Sequence, residues 1–309
     1  MCKAISKTQG FSLIGIKTLL LLIFYITTAW AQTDIKTQSE IEQHEAQAKQ
    51  QIQKTIVNDA VAAIEETKKV ISYLSSGQEK EATSAIERAT GKIDILIARH
   101  PEKAMLPVGF EVKIIDTAPL ELRIIKEIGK LADKEVRDKN YPDSRVLLNV
   151  LRSEININTS HLPLAAYKVA LEKAVRLLEQ KNIDEASSVL TTFLNTLVVV
   201  NQTIPIPIIN AKVMLKVAEQ KYKKDKDTAL NLINKAQNEL ERSKELGYTR
   251  NAEEYKGIDK SIMDLKKQIK GNENSASTFS TIKNKLTDFL KRLSEIQNQY
   301  EPLAVIMEW

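Results

Sequence analysis

Cysteine is all but missing from this chain of 309 residues, in which Cys2 is the only one. One thiol cannot make an intramolecular disulfide or a thiolate metal site. Histidine is scarce as well: His44, His100 and His161 stand far apart, so an imidazole metal site is not expected. Aromatic residues make up 5% of the chain, too few for the stacking platforms that hold single-stranded nucleic acid. Nine glycines are present but no glycine-rich phosphate loop. HExxH, GxSxG and the carboxylate-rich calcium loop are also lacking. No catalytic residue, cofactor or metal ligand is assigned, and the chain reads as a non-enzyme. The competing reading is a hydrolase or lyase built from carboxylates and His161.

Charge of one sign is lacking too, once the N-terminus is set aside. Lys3, Lys7 and Lys17 precede any acid, an apolar run from Thr18 to Trp30 follows, and Ala29-Trp30-Ala31 closes it. That order is a secretory signal peptide with cleavage after Ala31. The run is too short for a membrane span, which needs about 20 residues, and no later stretch is long and apolar enough. Without those three lysines, 42 basic residues face 40 acidic ones, so the sequence pI of about 9.0 does not argue for a nucleic-acid partner. An exported chain with no cysteine in its mature part suits a bacterial periplasm.

What is present is helix-forming: Ala, Leu, Ile, Lys and Glu in 3-4 spacing. Residues 1–31 are the leader. Residues 32–56 are polar, read as a solvated helix or a disordered tether. Residues 57–270 form the main helical domain, 271–278 a flexible linker, and 279–309 a C-terminal helix and tail. The fold class is all-α: a compact array of helical hairpins with short extended proline-containing segments. Each hairpin's second helix starts its apolar stripe on a small residue: Ala82, Ser144, Ala186 and Ala229. Gly77 and Asn182 suit left-handed helix ends, and Asp184 and Asp227 suit helix starts. In the second hairpin the expected stripes are Ile125, Ile128, Ala132 and Val136, then Ser144, Leu147, Leu148 and Leu151. Narrow seams at Tyr255, Ile258, Ile262, Leu265, Ile269 and at Ile282, Leu286, Phe289, Leu293, Ile296, Tyr300 either zip two chains into a homo-oligomer or fold back on the body. The apolar tail from Pro302 to Trp309 either docks a partner or is loosely ordered.

Three β-branched stretches break the helical pattern: Leu106 to Ile115, Ile155 to Ile157, and Leu197 to Ile209. Pro205 and Pro207 exclude a central strand in the last of these. A buried polyproline-like strip is expected there, with short strand pairing as the alternative. The blocks at 152–167 and 197–209 bracket one helical hairpin, so they should lie side by side.

Those blocks, LRSEININTSHLPLAAYKVAL and LNTLVVVNQTIPIPIINAKVML, resemble the YfdX family of exported helical bacterial proteins. The matching residues include Arg152, Glu154, Leu162, Pro163, Tyr167, Pro205 and Pro207, and they look structural. AMLPVGFEVKIID and Leu246-Gly247-Tyr248 are also similar to the family, so the resemblance runs over about residues 57–250. Lys168 departs from it where a proline is expected. The resemblance implies a periplasmic all-α protein linked to stress, notably acid, that self-associates and holds small molecules or clients.

The expected function is a periplasmic, acid-linked binding protein, chaperone-like toward unfolded clients. The alternative is a small-molecule-binding or sequestering protein using clefts between hairpins. Charge gives the acid link its physics. Below about pH 3 most of the 40 acids are neutral while the bases stay charged, and repulsion loosens helix contacts. His161, beside Leu162-Pro163, is the candidate pH sensor or ligand contact.

Overall fold

The computed structural model describes residues 37–248 and 252–298. The leader with its cleavage site at Ala31, Tyr300 and the tail from Pro302 to Trp309 fall outside the described residues.

Helices dominate. Helix α1 (37–53) is followed by the hairpin α2 (Asn58–Ser75) and α3 (Glu79–Arg99), which leads into strand β1 (Met105–Asp116). The unit then repeats. Hairpin α4 (Leu122–Arg137) and α5 (Tyr141–Val150) leads into β2 (Ser153–Pro163), and α6 (Leu164–Glu179) with α7 (Ile183–Leu194) leads into β3 (Val198–Pro205). Two further hairpins follow: α8 (Ile206–Lys221) with α9 (Lys226–Glu245), and α10 (Ala252–Lys270) with α11 (Ala276–Asn298). The fold is broadly all-α, and the proline-punctuated stretches form its small sheet.

That sheet corrects the polyproline-like strip. The strands pair antiparallel in the order β1-β2-β3, with Leu106 opposite Leu162, Ile155 opposite Ile204 and Glu154 opposite Pro205. Pro205 does not interrupt the ladder because β3 is an edge strand that ends on it. Pro205 caps α8, and Pro207 sits in that helix's first turn, where its missing N–H has no partner to lose. The two proline blocks are therefore adjacent strands.

Strand alternation sorts the core into two bodies. Ile155 and Ile157 face one side of β2, and Leu162 faces the other. A bulge between Pro107 and Gly109 shifts the parity of β1, so Leu106 and Val112 also face opposite sides. On one side, α2, α3, α6 and α7 close over Leu106 and Leu162. On the other, α1 and α8 to α11 close over Ile155 and Ile157.

Several sequence expectations change. The C-terminal seams are covered within the chain: Ile258, Ile262, Leu265, Ile269, Ile282, Leu286 and Phe289 are all buried in the second body. The side chains of Leu293 and Ile296 lie outside the described residues. The connection expected as a flexible linker is a short turn with Ser275 buried, and α11 begins at Ala276. Lys181 rather than Asn182 takes the left-handed conformation (φ 64°), and Asn182 precedes α7 as its N-cap. Asp225, not Asp227, caps α9, accepting from the Thr228 N–H at 3.0 Å.

The second hairpin is the largest departure. Of its expected stripes only Ile125, Ala132, Ser144 and Leu151 are buried. Neither core body includes α4 or α5.

Candidate functional site

Family-signature residues converge where the sheet meets the base of that uncovered hairpin. Arg152 donates to Glu154 Oε1 from Nε (2.8 Å) and Nη2 (2.6 Å). Tyr248 OH donates to Glu154 Oε2 (2.9 Å) and accepts from the Ser153 N–H (2.9 Å). Burial pushes the Tyr248 hydroxyl's pKa up, so it stays a donor. Ser153 Oγ donates to Asp116 Oδ1 (2.7 Å), across the register pair of β1 and β2. The Arg152 carbonyl accepts from the Thr117 and Ala118 N–H groups, which turns the chain out of β1 toward α4.

Beside this group lies Arg242 of α9, only 2% exposed. Its guanidinium donates to the carbonyls of Pro119 (3.1 Å) and Ala118 (3.0 Å), pairs with Glu239 (3.4 Å) and lies 3.5 Å from Asp116. Burial raises the Glu239 carboxyl's pKa, and Arg242 and Asn210 pull it back. The pattern of α9 gives no sign of this role, since Arg242 is one of many charges along a helix. Its one sequence mark is proximity to Leu246-Gly247-Tyr248. The cluster acts as a clamp. It ties the root of the α4–α5 hairpin to the sheet and α9, and it explains why Arg152 and Glu154 stand where they do.

The other signature residues lie in the core or at the ends of elements. Leu162 is fully buried, Pro163 caps α6, and Tyr167 is fully buried against Phe193, with ring centroids 4.9 Å apart. Tyr167 OH meets Thr67 Oγ1 at 2.5 Å and the Ala63 carbonyl at 3.3 Å, joining α6 to α2. Burial pushes its pKa up to about 12.

His161 lies elsewhere, on β2, in a cleft of about 430 Å³. The end of α1 and the turn after it roof the cleft with Gln51, Ile52 and Thr55, and Lys103, Met105 and Thr159 form part of the wall. His161 Nδ1 is 3.1 Å from the Thr159 carbonyl. Burial holds its pKa below 6.5, while the carbonyls of Thr159 and Val198 oppose that shift. The ring is engaged by backbone, so it tunes the charge of the cleft more readily than it reaches a ligand. Among the described residues no group of three His, Cys, Asp or Glu is placed to hold a metal ion, and no helix is long and apolar enough to cross a membrane.

The α4–α5 hairpin supplies the third feature. Leu131 is 51% exposed, Val146 63% and Leu148 53%, and Val136, Tyr141 and Val150 are exposed with them. Both helices therefore present several apolar side chains to solvent, more than any other hairpin among the described residues.

Residues 63–203 match the family model described as YfdX protein. That stretch, a little under half of the chain, is similar to the YfdX family. The YfdX segment begins inside α2 and ends inside β3, so it holds the uncovered hairpin, Arg152, Glu154, His161 and Tyr167. It is shorter than the resemblance drawn from the residues, for Pro205, Pro207 and Tyr248 lie past its end. No curated protein matches the chain. A solved structure of Salmonella Typhi YfdX aligns with 49% of this chain and 93% of its own, at 13% identity and a TM-score of 0.34. That likeness is too slight to support an argument.

Proposed function

We propose that this protein is a periplasmic, non-catalytic binding protein of acid stress, chaperone-like, which offers the apolar face of its second hairpin to unfolding clients. The observation that supports the reading is the set of exposed apolar side chains, Leu131, Val136, Val146, Leu148 and Val150, spread over two helices rooted in a polar clamp. Exposed apolar side chains gathered on one element mark a place where another apolar surface sits. Basic and acidic residues between them, such as Lys130, Asp133 and Arg145, keep the free protein soluble. The same residues are available for self-association, whereas the described part of the C-terminal seams is buried within the chain.

The test is aggregation of an acid-sensitive enzyme followed by light scattering at about pH 3 and about pH 7, with and without the mature protein. Suppression by the natural chain, and its loss in the Leu131→Lys, Val146→Lys, Leu148→Glu variant, is the expected result. Equal suppression by both refutes the role of the hairpin. A host fractionation with intact-mass analysis tests export and cleavage after Ala31.

A second reading rests on the cleft at His161, whose volume of about 430 Å³ falls within the range of small-molecule sites, about 300–1,000 Å³. Saturable calorimetric binding of one compound, abolished by Ile52→Arg, would favour it. An untargeted activity screen on the natural chain and on His161→Ala tests the non-enzyme reading, which turnover dependent on His161 would overturn.

A further inference from the structure

Helix α1 is seated on the second core body by one apolar stripe. Ile41 and Ala48 are buried and Ile52 is half-buried, and their spacing puts them on one stripe. Lys216 Nζ of α8 donates to Glu40 Oε1 at 2.8 Å. The seat is not filled: a crevice of about 230 Å³ remains between Ser39, Glu40 and Gln43 of α1 and Val213, Lys216 and Val217 of α8. Below it, α8 buries Val213 and Val217 beneath α1's edge, with Lys216 and Gln220 at the rim.

We propose that the surface of α8 under α1 is a docking groove for an amphipathic partner helix, and that α1 is its built-in occupant, displaced as the pH falls. The partner's chemistry follows from the occupant's: a large aliphatic residue, a small residue seven positions on, a second aliphatic residue four beyond that, and a polar outer face. This deepens the client-binding reading by naming a second site and its partner class.

Two groups make the occupant acid-labile. The hydrogen bond from Lys216 holds the Glu40 carboxyl below its ordinary 4.5, with Lys212 and His44 adding to the effect and burial opposing it. Burial, then the charge of Lys212, holds His44 below its ordinary 6.5, with Glu40 opposing. Each depressed value means the seated form prefers the deprotonated group. The stabilisation from His44 begins to fall as the pH drops below about 6.5, and that from Glu40 falls as the pH drops below 4.5 through its lower folded value. Both changes loosen α1, and a partner without those two groups does not suffer them.

The probe is a fluorescent peptide of residues 37–53 carrying Glu40→Gln and His44→Gln, titrated with the mature protein and read by anisotropy. Near neutral pH the tethered α1 acts at an effective concentration on the order of millimolar and shuts out about 100 µM peptide. At about pH 4 the peptide should bind saturably, at least about ten-fold tighter, since losing about 1.4 kcal/mol of competition is a factor of ten. Ile41→Asp in the protein should open the groove at both pH values, and Lys216→Ala should raise the affinity near neutrality. The same peptide with Ile41→Asp should not bind. Failure of the Ile41→Asp protein to bind peptide at either pH, with its helical spectrum intact, overturns the proposal, as does equal affinity of the natural chain at both. The readout does not depend on aggregation, so it is separable from the hairpin's: the charged hairpin variant should lose suppression and keep peptide binding.

Discussion

Replacing Arg242 with methionine should expose the worth of the clamp. The side chain is 2% exposed, and its loss leaves the carbonyls of Ala118 and Pro119 without their donors and the buried Glu239 without its cation. Removing one partner from a buried pair destabilises by about 3–5 kcal/mol, chiefly because the other charge stays buried alone. The pH dependence carries the sharper test. The folded-state pKa of Glu239 is already raised by burial, so this group favours the fold most when protonated, and that contribution fades as pH rises through the folded value. Without Arg242 its pKa climbs further, at about 1.4 kcal/mol per unit. The variant's deficit, measured by urea denaturation, should therefore be largest near pH 7.5 and shrink by more than about 1 kcal/mol near pH 5. Glu239→Gln placed in the same chain should restore part of the stability near neutrality and flatten the pH profile. A deficit below about 1 kcal/mol, or one equal at the two pH values, would refute the account of the clamp.

Tyr167→Phe deletes a hydroxyl that bridges α6 to α2 through Thr67 and the Ala63 carbonyl, and should lower unfolding free energy by about 1–2 kcal/mol with the core volume unchanged. Lys139 ends α4 at φ 59°, a conformation that strains any side chain with a β-carbon, so Lys139→Gly should raise the melting temperature, corresponding to about 1 kcal/mol. Charged replacements at Leu131, Val146 and Leu148 should leave stability within about 0.5 kcal/mol per site, because these side chains are half or more exposed. A large loss there would mean the hairpin is buried in solution, against a partner or a second copy.

Helical hairpins were legible because their stripes at Ala82, Ala186 and Ala229 repeat at helical spacing and do end up buried. The blocks around Pro163 and Pro205 were legible as interruptions but not as a sheet. Period-2 alternation in β2 is obscured because it is buried on both faces, where Glu154 and Asn156 are as enclosed as Ile155 and Ile157. A polar residue inside a strand is readable only once its partners are known, and those partners, Tyr248 and Arg152, come from a distant turn and the strand's own entry. Arg242 was illegible for the same reason: nothing along α9 sets it apart from its charged neighbours. The seams of α10 and α11 could be read for period but not for partner, since a helix carries the same stripe whether a second chain or its own body covers it.

The second hairpin is where pattern and structure disagree, and the disagreement has a physical cause in the topology. Each of the first three hairpins leads into a strand of one antiparallel sheet. The first and third, α2–α3 and α6–α7, stack together on one face, and the two that follow β3 close the other face with α1. Both faces of the sheet are then covered. The α4–α5 pair is left at the end of β1 and β2, where Asp116 meets Ser153, with α9 as its neighbour and Arg242 as its fastener. Its stripe is as apolar as the others, so an exposed position is not the result of a weaker sequence. Ile125, Ala132, Ser144 and Leu151 of its stripe are buried, while Leu131, Val136, Val146, Leu148 and Val150 stay exposed because neither face of the sheet is left for them, which is the arrangement on which the client-binding proposal rests.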